Sequence, residues 1–198
     1  VIDTVGNPDE RFGEDALRMM RAVRFVSQLQ FACTERVVSA MAHNSPLLKN
    51  ISVERITAEF EKALQGPAAA KALQLLVSTG LYRYLPGTGD KRGELESFLS
   101  KDFSVLKTVE EKWAALSICL GLDQQQVIDF LRSWKLPSKR VKAVKNIVET
   151  SRRGRFADEQ ELFNAGFETM ASACRVHHAI KGSDCSESIS QMAKRWDH

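Results

Sequence analysis

Apolar residues recur at α-helical spacing along almost the whole chain. Between residues 14 and 30 they form one broad face, and the same spacing returns between residues 52 and 65. No segment keeps the alternation of apolar and polar residues that a half-buried strand requires. Ser52 and Thr108 are suited to begin helices and Gly80 to end one. The pattern predicts an all-α fold, a multi-helix array without a β-sheet, in which residues 14–30 form one continuous helix.

The composition is that of an ordinary folded protein. Of 198 residues, 43% are hydrophobic, which is too many for a disordered chain. No apolar run approaches the length of about 20 residues that a membrane span needs, so we expect no membrane contact. The net charge of +3 permits a polyanionic partner without requiring one. Four widely spaced cysteines without a CxxC pair indicate free thiols and a cytoplasmic protein; they are Cys33, Cys119, Cys174 and Cys185.

The most informative segment is the start of the first long helix. Glu14 and Arg18 are four residues apart and Asp15 and Arg18 are three apart, so both acids can neighbour the guanidinium on a helix. A carboxylate beside a guanidinium presents an acceptor next to donors, which matches the pairing edge of cytosine or adenine and opposes that of uracil or guanine. In this hypothesis Glu14 orients Arg18. The alternative is a solvated amphipathic helix whose acids simply stabilise its N-terminus.

A family resemblance favours the first interpretation. The segment from Pro8 to Phe31, with the core Arg-Phe-Gly-Glu-Asp-Ala-Leu-Arg-Met-Met-Arg-Ala-Val-Arg-Phe, resembles the neck-domain signature of class II CCA-adding enzymes, which are tRNA nucleotidyltransferases. It is particularly similar to the Bacillus-type enzymes, and related bacterial poly(A) polymerases share the signature. Residues 52–64 resemble the next neck motif of the family. The remainder of the chain resembles the family only as a helical array.

The resemblance assigns roles to particular side chains. It implies that Asp15 and Arg18 act as a protein template for CTP or ATP, that Glu14 positions Arg18, and that Arg21 is a further nucleotide-binding residue. The second motif would hold the neck helices together, through Glu54, Arg55 and Glu59. The implied organisation is a neck domain over residues 1–65, a helical body domain over 66–136, and a basic, tRNA-contacting region over 137–198.

The family's catalytic machinery is not visible in this sequence. In the family, two metal-binding carboxylates lie in a β-sheet head domain that precedes the neck. No Gly-Ser motif followed by Asp-x-Asp occurs here, and the first residue is Val1 rather than methionine. The resemblance therefore implies part of a longer enzyme, whose Mg²⁺ would bind in the missing head. We expect no catalytic residue in this chain and no nucleotide transfer by it alone.

A cluster of basic residues is the candidate RNA-binding surface. Such a surface would contact phosphates of the tRNA acceptor arm, reading shape rather than sequence and weakening with salt. The alternative is a solvated helix face. The cluster consists of Lys135, Lys139, Arg140, Lys142, Lys145, Arg152 and Arg153.

Other features of the sequence separate the alternatives less well. Cys174, His177, His178 and Cys185 are zinc-ligand types, but their spacing matches no closed four-ligand site, so we expect no bound metal in this chain. A CC-adding, A-adding or poly(A) polymerase would share the neck motif. A non-catalytic helical RNA-binding module is the alternative from a different class. The sequence indicates no particular oligomeric state.

Overall fold

The chain folds almost entirely into helices. A computed structural model describes residues 1–156, 158–183 and 186–196. Within these ranges there are twelve α-helices and no β-strand, which confirms the prediction of an all-α fold without a sheet. The only β-type contact in the described residues is an isolated parallel bridge between Ile2 and Cys33. A bilayer-spanning helix, which would have to be long and apolar, is not found among the described residues.

The helices divide between two compact units. The first comprises residues 1–99 and 133–135, and the second comprises residues 100–132 and 136–198. The predicted domains, residues 1–65, 66–136 and 137–198, were defined by their roles in the family, whereas the two compact units are defined by packing. The units therefore do not test the predicted domains, which stay a prediction.

The first unit is built around one buried helix. Its α-helices are α1 (Pro8–Glu14), α2 (Leu17–Leu29), α3 (Glu35–Asn44), α4 (Val53–Gln65), α5 (Ala69–Ser78) and α6 (Arg92–Leu99). Helix α2 packs against α4 and α5. Met19, Met20 and Val23 of α2 are completely buried there, and each such side chain contributes about 1.5–3 kcal/mol of burial free energy. The apolar face predicted from helical spacing is therefore the core of this unit.

Residues 133–135 pack in the first unit through contacts of Trp134 with helix α4. Trp134 is completely buried and stacks on Phe60, with ring centroids 4.6 Å apart and planes inclined by 29°. The hydroxyl of Thr57 donates a hydrogen bond to the Trp134 carbonyl oxygen at 2.9 Å. These contacts tie the short segment to helix α4.

The second unit packs helices around a buried ion pair. Its α-helices are α7 (Val109–Cys119), α8 (Gln124–Ser133), α9 (Ser138–Arg153), α10 (Glu159–Ala165), α11 (Phe167–Lys181) and α12 (Ser186–Trp196), although Ser133 itself belongs to the first unit. Helices α7, α9 and α11 pack against one another. Glu111 of α7 is completely buried and accepts hydrogen bonds from Arg175 at 2.7 and 3.1 Å and from the Lys107 amide at 2.7 Å. Burial of this carboxylate is tolerated because charged and polar donors satisfy it.

The helix predicted over residues 14–30 forms as α2 over Leu17–Leu29, but it starts three residues later than predicted, and Glu14 ends a separate helix that the sequence did not predict. Helix α1 ends at Glu14, and Asp15 has an extended backbone, with φ −150° and ψ 101°. An Asp side chain competes with the helix by accepting backbone N–H groups, and the Asp15 carboxylate accepts the Leu17 amide at 3.1 Å. Asp15 therefore starts a new helix instead of continuing the old one.

Candidate functional site

The junction between α1 and α2 fixes Arg18 at one of its nitrogens. Arg18 Nη1 lies 2.7 Å from Glu14 Oε2 and donates a second hydrogen bond to the Arg11 carbonyl oxygen at 3.1 Å. Glu14 also accepts from Arg11 Nη1 at 3.0 Å. Hydrogen bonds from Arg18 and then Arg11 hold the pKa of the Glu14 carboxyl below its ordinary value. The expected Glu14–Arg18 ion pair forms, although the backbone between the two residues is not one helix.

The Asp15 carboxylate is held by different partners. One oxygen accepts the Leu17 amide, and the other lies 3.6 Å from Arg55 Nη2 and 3.9 Å from Arg21 Nη1. Among the residues that the structure describes, no ion pair joins Asp15 to Arg18. Acceptor and donor are therefore fixed independently of each other and do not neutralise one another.

An open concavity of about 440 Å³ adjoins the Asp15 carboxylate. Its polar wall includes Glu14, Asp15, Asn50 and Arg55. Within the described part of the chain, no hydrogen bond uses Nε or Nη2 of Arg18, and its side chain is 37% exposed. The junction thus carries an oriented carboxylate and a guanidinium with available donors. This chemistry suits a ligand edge that has both a donor and an acceptor.

Arg55 is the residue whose contribution to this site the sequence did not predict. The resemblance assigned it, with Glu54 and Glu59, to holding the neck helices together. Glu59 does contact α2, since Glu59 Oε2 lies 3.2 Å from Arg24 Nη1 and both side chains are mostly buried. Arg55 reaches the Asp15 carboxylate, so it links α4 to the junction between α1 and α2 and also borders the candidate site, whereas Glu54 is exposed. The signal that could have found Arg55 was its place in the second motif.

The basic cluster is divided by its contacts. Lys135 belongs to the first unit, whereas the other six residues lie on α9 in the second. Four of those six side chains have partners within their own unit. Three are paired with carboxylates: Arg140 Nε lies 2.8 Å from Glu110, Lys145 Nζ lies 3.4 Å from Glu149, and Arg153 Nη1 lies 3.0 Å from Glu161. The fourth, Arg152, donates a hydrogen bond to the Leu122 carbonyl oxygen. Lys139 and Lys142 are exposed, as is Lys135. The seven cations are therefore not equivalent candidates for contacts with RNA.

The described residues offer no metal centre. No group of three or more His, Cys, Asp or Glu side chains that could hold a metal is found among them. Cys174 is completely buried, and His177 Nδ1 lies 3.0 Å from the Ser151 carbonyl oxygen. Cys185, the fourth residue of the zinc-like set, lies outside the described residues.

Two family models match the chain. The model described as "Probable RNA and SrmB- binding site of polymerase A" covers residues 30–91. The model described as "tRNA nucleotidyltransferase domain 2 putative" covers residues 105–198. Both descriptions point to the class of enzymes that add nucleotides to RNA.

Within this class, the curated relatives that the chain resembles are CCA-adding enzymes. The CCA-adding enzyme of Geobacillus kaustophilus (strain HTA426) is 45% identical over 200 residues, which cover 99% of this chain and 49% of that protein. The CCA-adding enzyme of Bacillus subtilis (strain 168) is 46% identical over 176 residues, covering 89% of this chain and 44% of that protein. The chain is therefore homologous to Bacillus-type CCA-adding enzymes over nearly its whole length, and it spans about half the length of the curated relatives it matches.

A solved structure has the same fold. The crystal structure of the Bacillus stearothermophilus CCA-adding enzyme in complex with CTP is 42% identical and superimposes with a TM-score of 0.93, over 99% of this chain and 50% of that chain. The helical array described above is therefore the fold of the matching half of that enzyme.

Proposed function

We propose that the chain is the nucleotide-selecting and tRNA-binding half of a CCA-adding tRNA nucleotidyltransferase, an enzyme that adds C, C and A to tRNA 3′ ends without a nucleic-acid template. The observation that carries the proposal is the junction between α1 and α2, where Asp15 and Arg18 are held by separate partners. The similarity to an enzyme in complex with CTP supports CTP as one substrate. ATP is the other, because adenine presents the same order of donor and acceptor as cytosine.

Selection at this junction is a matter of hydrogen-bond polarity. The Asp15 carboxylate accepts the exocyclic amino group of the base, and Arg18 donates to the neighbouring ring nitrogen. Uracil and guanine place a carbonyl oxygen where cytosine and adenine have an amino group. This oxygen and the Asp15 carboxylate are both hydrogen-bond acceptors, so they repel each other. By analogy with base-edge contacts in nucleic-acid grooves, each good bidentate contact is worth about 1–3 kcal/mol of discrimination. Glu14 fixes Arg18, and Arg21 supplies a further positive charge for the nucleotide.

The tRNA acceptor arm is the proposed macromolecular partner. Basic residues contact its phosphates, with the exposed Lys135, Lys139 and Lys142 most available and Arg140, Lys145, Arg152 and Arg153 contributing charge from paired positions. Binding of this kind weakens as salt rises, since cations on the RNA compete with the protein. A tRNA-processing role is consistent with a protein of the cytoplasm, which we include in the proposal.

The transfer step itself does not belong to this chain. Mg²⁺ is the metal that the family would use, but the residues of this site do not fit it: its two carboxylates, Glu14 and Asp15, each face two guanidinium groups rather than other oxygen ligands. We therefore expect the metal ligands in the other half of the enzyme. The chain alone is expected not to transfer nucleotides.

The experiment that tests the proposal uses a chimera. In it, this chain replaces the matching half of the Bacillus stearothermophilus enzyme, and extension of a tRNA lacking CCA is followed with each nucleotide. The chimera should add CCA. The double variant Asp15→Arg/Arg18→Asp, which reverses donor and acceptor, should shift preference toward UTP and GTP. Unchanged selectivity in an active double variant would show that these residues do not select the base.

A poly(A) polymerase is the second candidate, because the family model over residues 30–91 carries the name of polymerase A. It shares the adenine-accepting polarity of Asp15 and Arg18. Product length distinguishes the two: the complete enzyme that contains this chain adds three nucleotides in the proposed function and a long A-tail in the alternative.

A further inference from the structure

A second concavity lies between α8 and α9 in the second unit. Its volume is about 160 Å³, and it is separate from the Asp15 site in the first unit. The lining residues are Ile128, Arg132, Ser138, Val141, Lys142 and Lys145. Three of the six carry a positive charge, and none carries a negative one.

Two of the three cations are unused by the fold. Arg132 and Lys142 are exposed, and no hydrogen bond or ion pair with another described residue engages either side chain. Lys145 lies 3.4 Å from Glu149. The other acid of these two helices, Asp129, accepts a hydrogen bond from Gln125 at 3.1 Å. The concavity therefore keeps an excess of positive charge, in contrast to Arg140 and Arg153, whose charges are balanced by Glu110 and Glu161.

The first turn of α9 adds to this excess. Acids normally stabilise a helix N-terminus, yet the turn contains no acid, and Lys139 is exposed there beside Arg140, whose charge Glu110 balances. Like charges that converge on one concavity repel each other, and a bound anion relieves the repulsion. Arg132 can grip a tetrahedral anion with two N–H groups, whereas Lys142 and the Ser138 hydroxyl supply single donors.

We infer that Arg132, Lys142 and Lys145 form a seat for one phosphate group of an RNA backbone. The assignment to RNA rests on the proposed function, while the preference for a phosphate rests on the cavity and its charges. The seat includes Arg132, which lies outside the basic cluster recognised in the sequence. Arg140, Arg152 and Arg153 do not line this seat; their contacts with Glu110, Leu122 and Glu161 give them a structural role within the unit.

The test compares two charge-matched double variants of the purified chain. Arg132→Gln/Lys142→Gln removes both unpaired cations of the seat; Lys145 is kept because its loss would leave Glu149 without its partner. Arg155→Gln/Lys181→Gln removes the same charge from exposed positions elsewhere in the unit. Fluorescence anisotropy with a labelled acceptor-stem hairpin measures Kd over a range of KCl concentrations. Thermal unfolding checks that all the proteins are folded.

The seat variant should raise Kd by about tenfold or more at low salt, as expected for lost hydrogen bonds between charged groups. It should also reduce the slope of log Kd against log salt by about one. The control variant should change both only slightly. Equal weakening in the two variants would overturn the seat, because net charge alone would then explain binding. The inference would also be overturned if the native chain did not bind the RNA hairpin but bound inorganic phosphate in a ³¹P NMR titration, since the ligand would then be the free anion.

A failure of the proposed function would give different experimental results from a failure of the phosphate seat. In that case the chimera would not add CCA, or its selectivity would survive the Asp15→Arg/Arg18→Asp exchange, while the RNA-binding contrast between the seat and control variants would persist.

Discussion

The guanidinium of Arg55 lies 3.6 Å from the carboxylate of Asp15, at the wall of an open concavity. The contact joins α4 to the junction between α1 and α2. It brings a residue of the second motif to Asp15, the residue of the first motif that we propose selects the nucleotide. Since the Arg55 side chain is 50% exposed and that of Asp15 is 26% exposed, solvent screens the pair.

We expect Arg55→Gln to weaken base selection modestly. In the chimera, the preference for CTP over UTP in kcat/KM should fall by a few-fold, in line with the 0.2–1 kcal/mol that exposed ion pairs typically contribute. Lys62→Gln is the matched control, because Lys62 is an exposed cation on the same helix. Identical CTP/UTP ratios in the two variants would mean that Arg55 does not orient Asp15.

The Glu14 carboxyl should report on Arg18 through its titration. Hydrogen bonds from Arg18 and Arg11 lower its pKa below 4.5, so the ion pair is present at neutral pH and is lost as the pH falls through the lowered value. Arg18→Ala should raise this pKa toward 4.5, and Arg11→Ala should raise it less. Carboxyl ¹³C NMR measures both. An unshifted Glu14 resonance in Arg18→Ala would contradict the contact.

Gly66 should be indispensable for the packing of α2. A Cβ at this position would lie 2.2 Å from Ser27 Oγ and 2.9 Å from the Ser27 carbonyl carbon, while that hydroxyl donates to the Ala63 carbonyl oxygen at 2.6 Å. Gly66→Ala should therefore cost about 1–3 kcal/mol of unfolding free energy. Urea denaturation measures it. Gly93→Ala in α6, where nothing lies within 4 Å, should instead be neutral or stabilising.

Cys33 should be a slow nucleophile in the folded chain. Burial, and secondarily the Asp3 carboxylate, raise the pKa of its thiol to about 11. Because only the thiolate reacts, alkylation by iodoacetamide at pH 8 should be slow in the native chain and much faster in urea. Peptide mass spectrometry resolves Cys33 from the other cysteines. Equal rates in native and unfolded chains would contradict this prediction.

The sequence predicted contacts between near neighbours better than contacts across the fold. Helical spacing placed Glu14 beside Arg18, and the ion pair forms. The same spacing concealed the break at Asp15, because the apolar pattern continues through it. The competition between the Asp15 side chain and the backbone explains why α2 starts only after Asp15.

The basic cluster illustrates the same limit in the second unit. The sequence displays Arg140 and Arg153 as two of seven similar cations. Their partners, Glu110 and Glu161, lie on other helices, and only packing brings them together. Arg132, by contrast, lies on the preceding helix α8, and only packing shows that it shares a concavity with residues of α9. Charge in a sequence therefore indicated a surface but not which of its side chains are available.

The most direct test of base selection is a structure of the chimera bound to CTP. We predict that the cytosine amino group lies within hydrogen-bond distance of the Asp15 carboxylate and that the neighbouring ring nitrogen accepts from Arg18. A cytosine bound elsewhere, with the Asp15 and Arg18 side chains contacting only water, would contradict it.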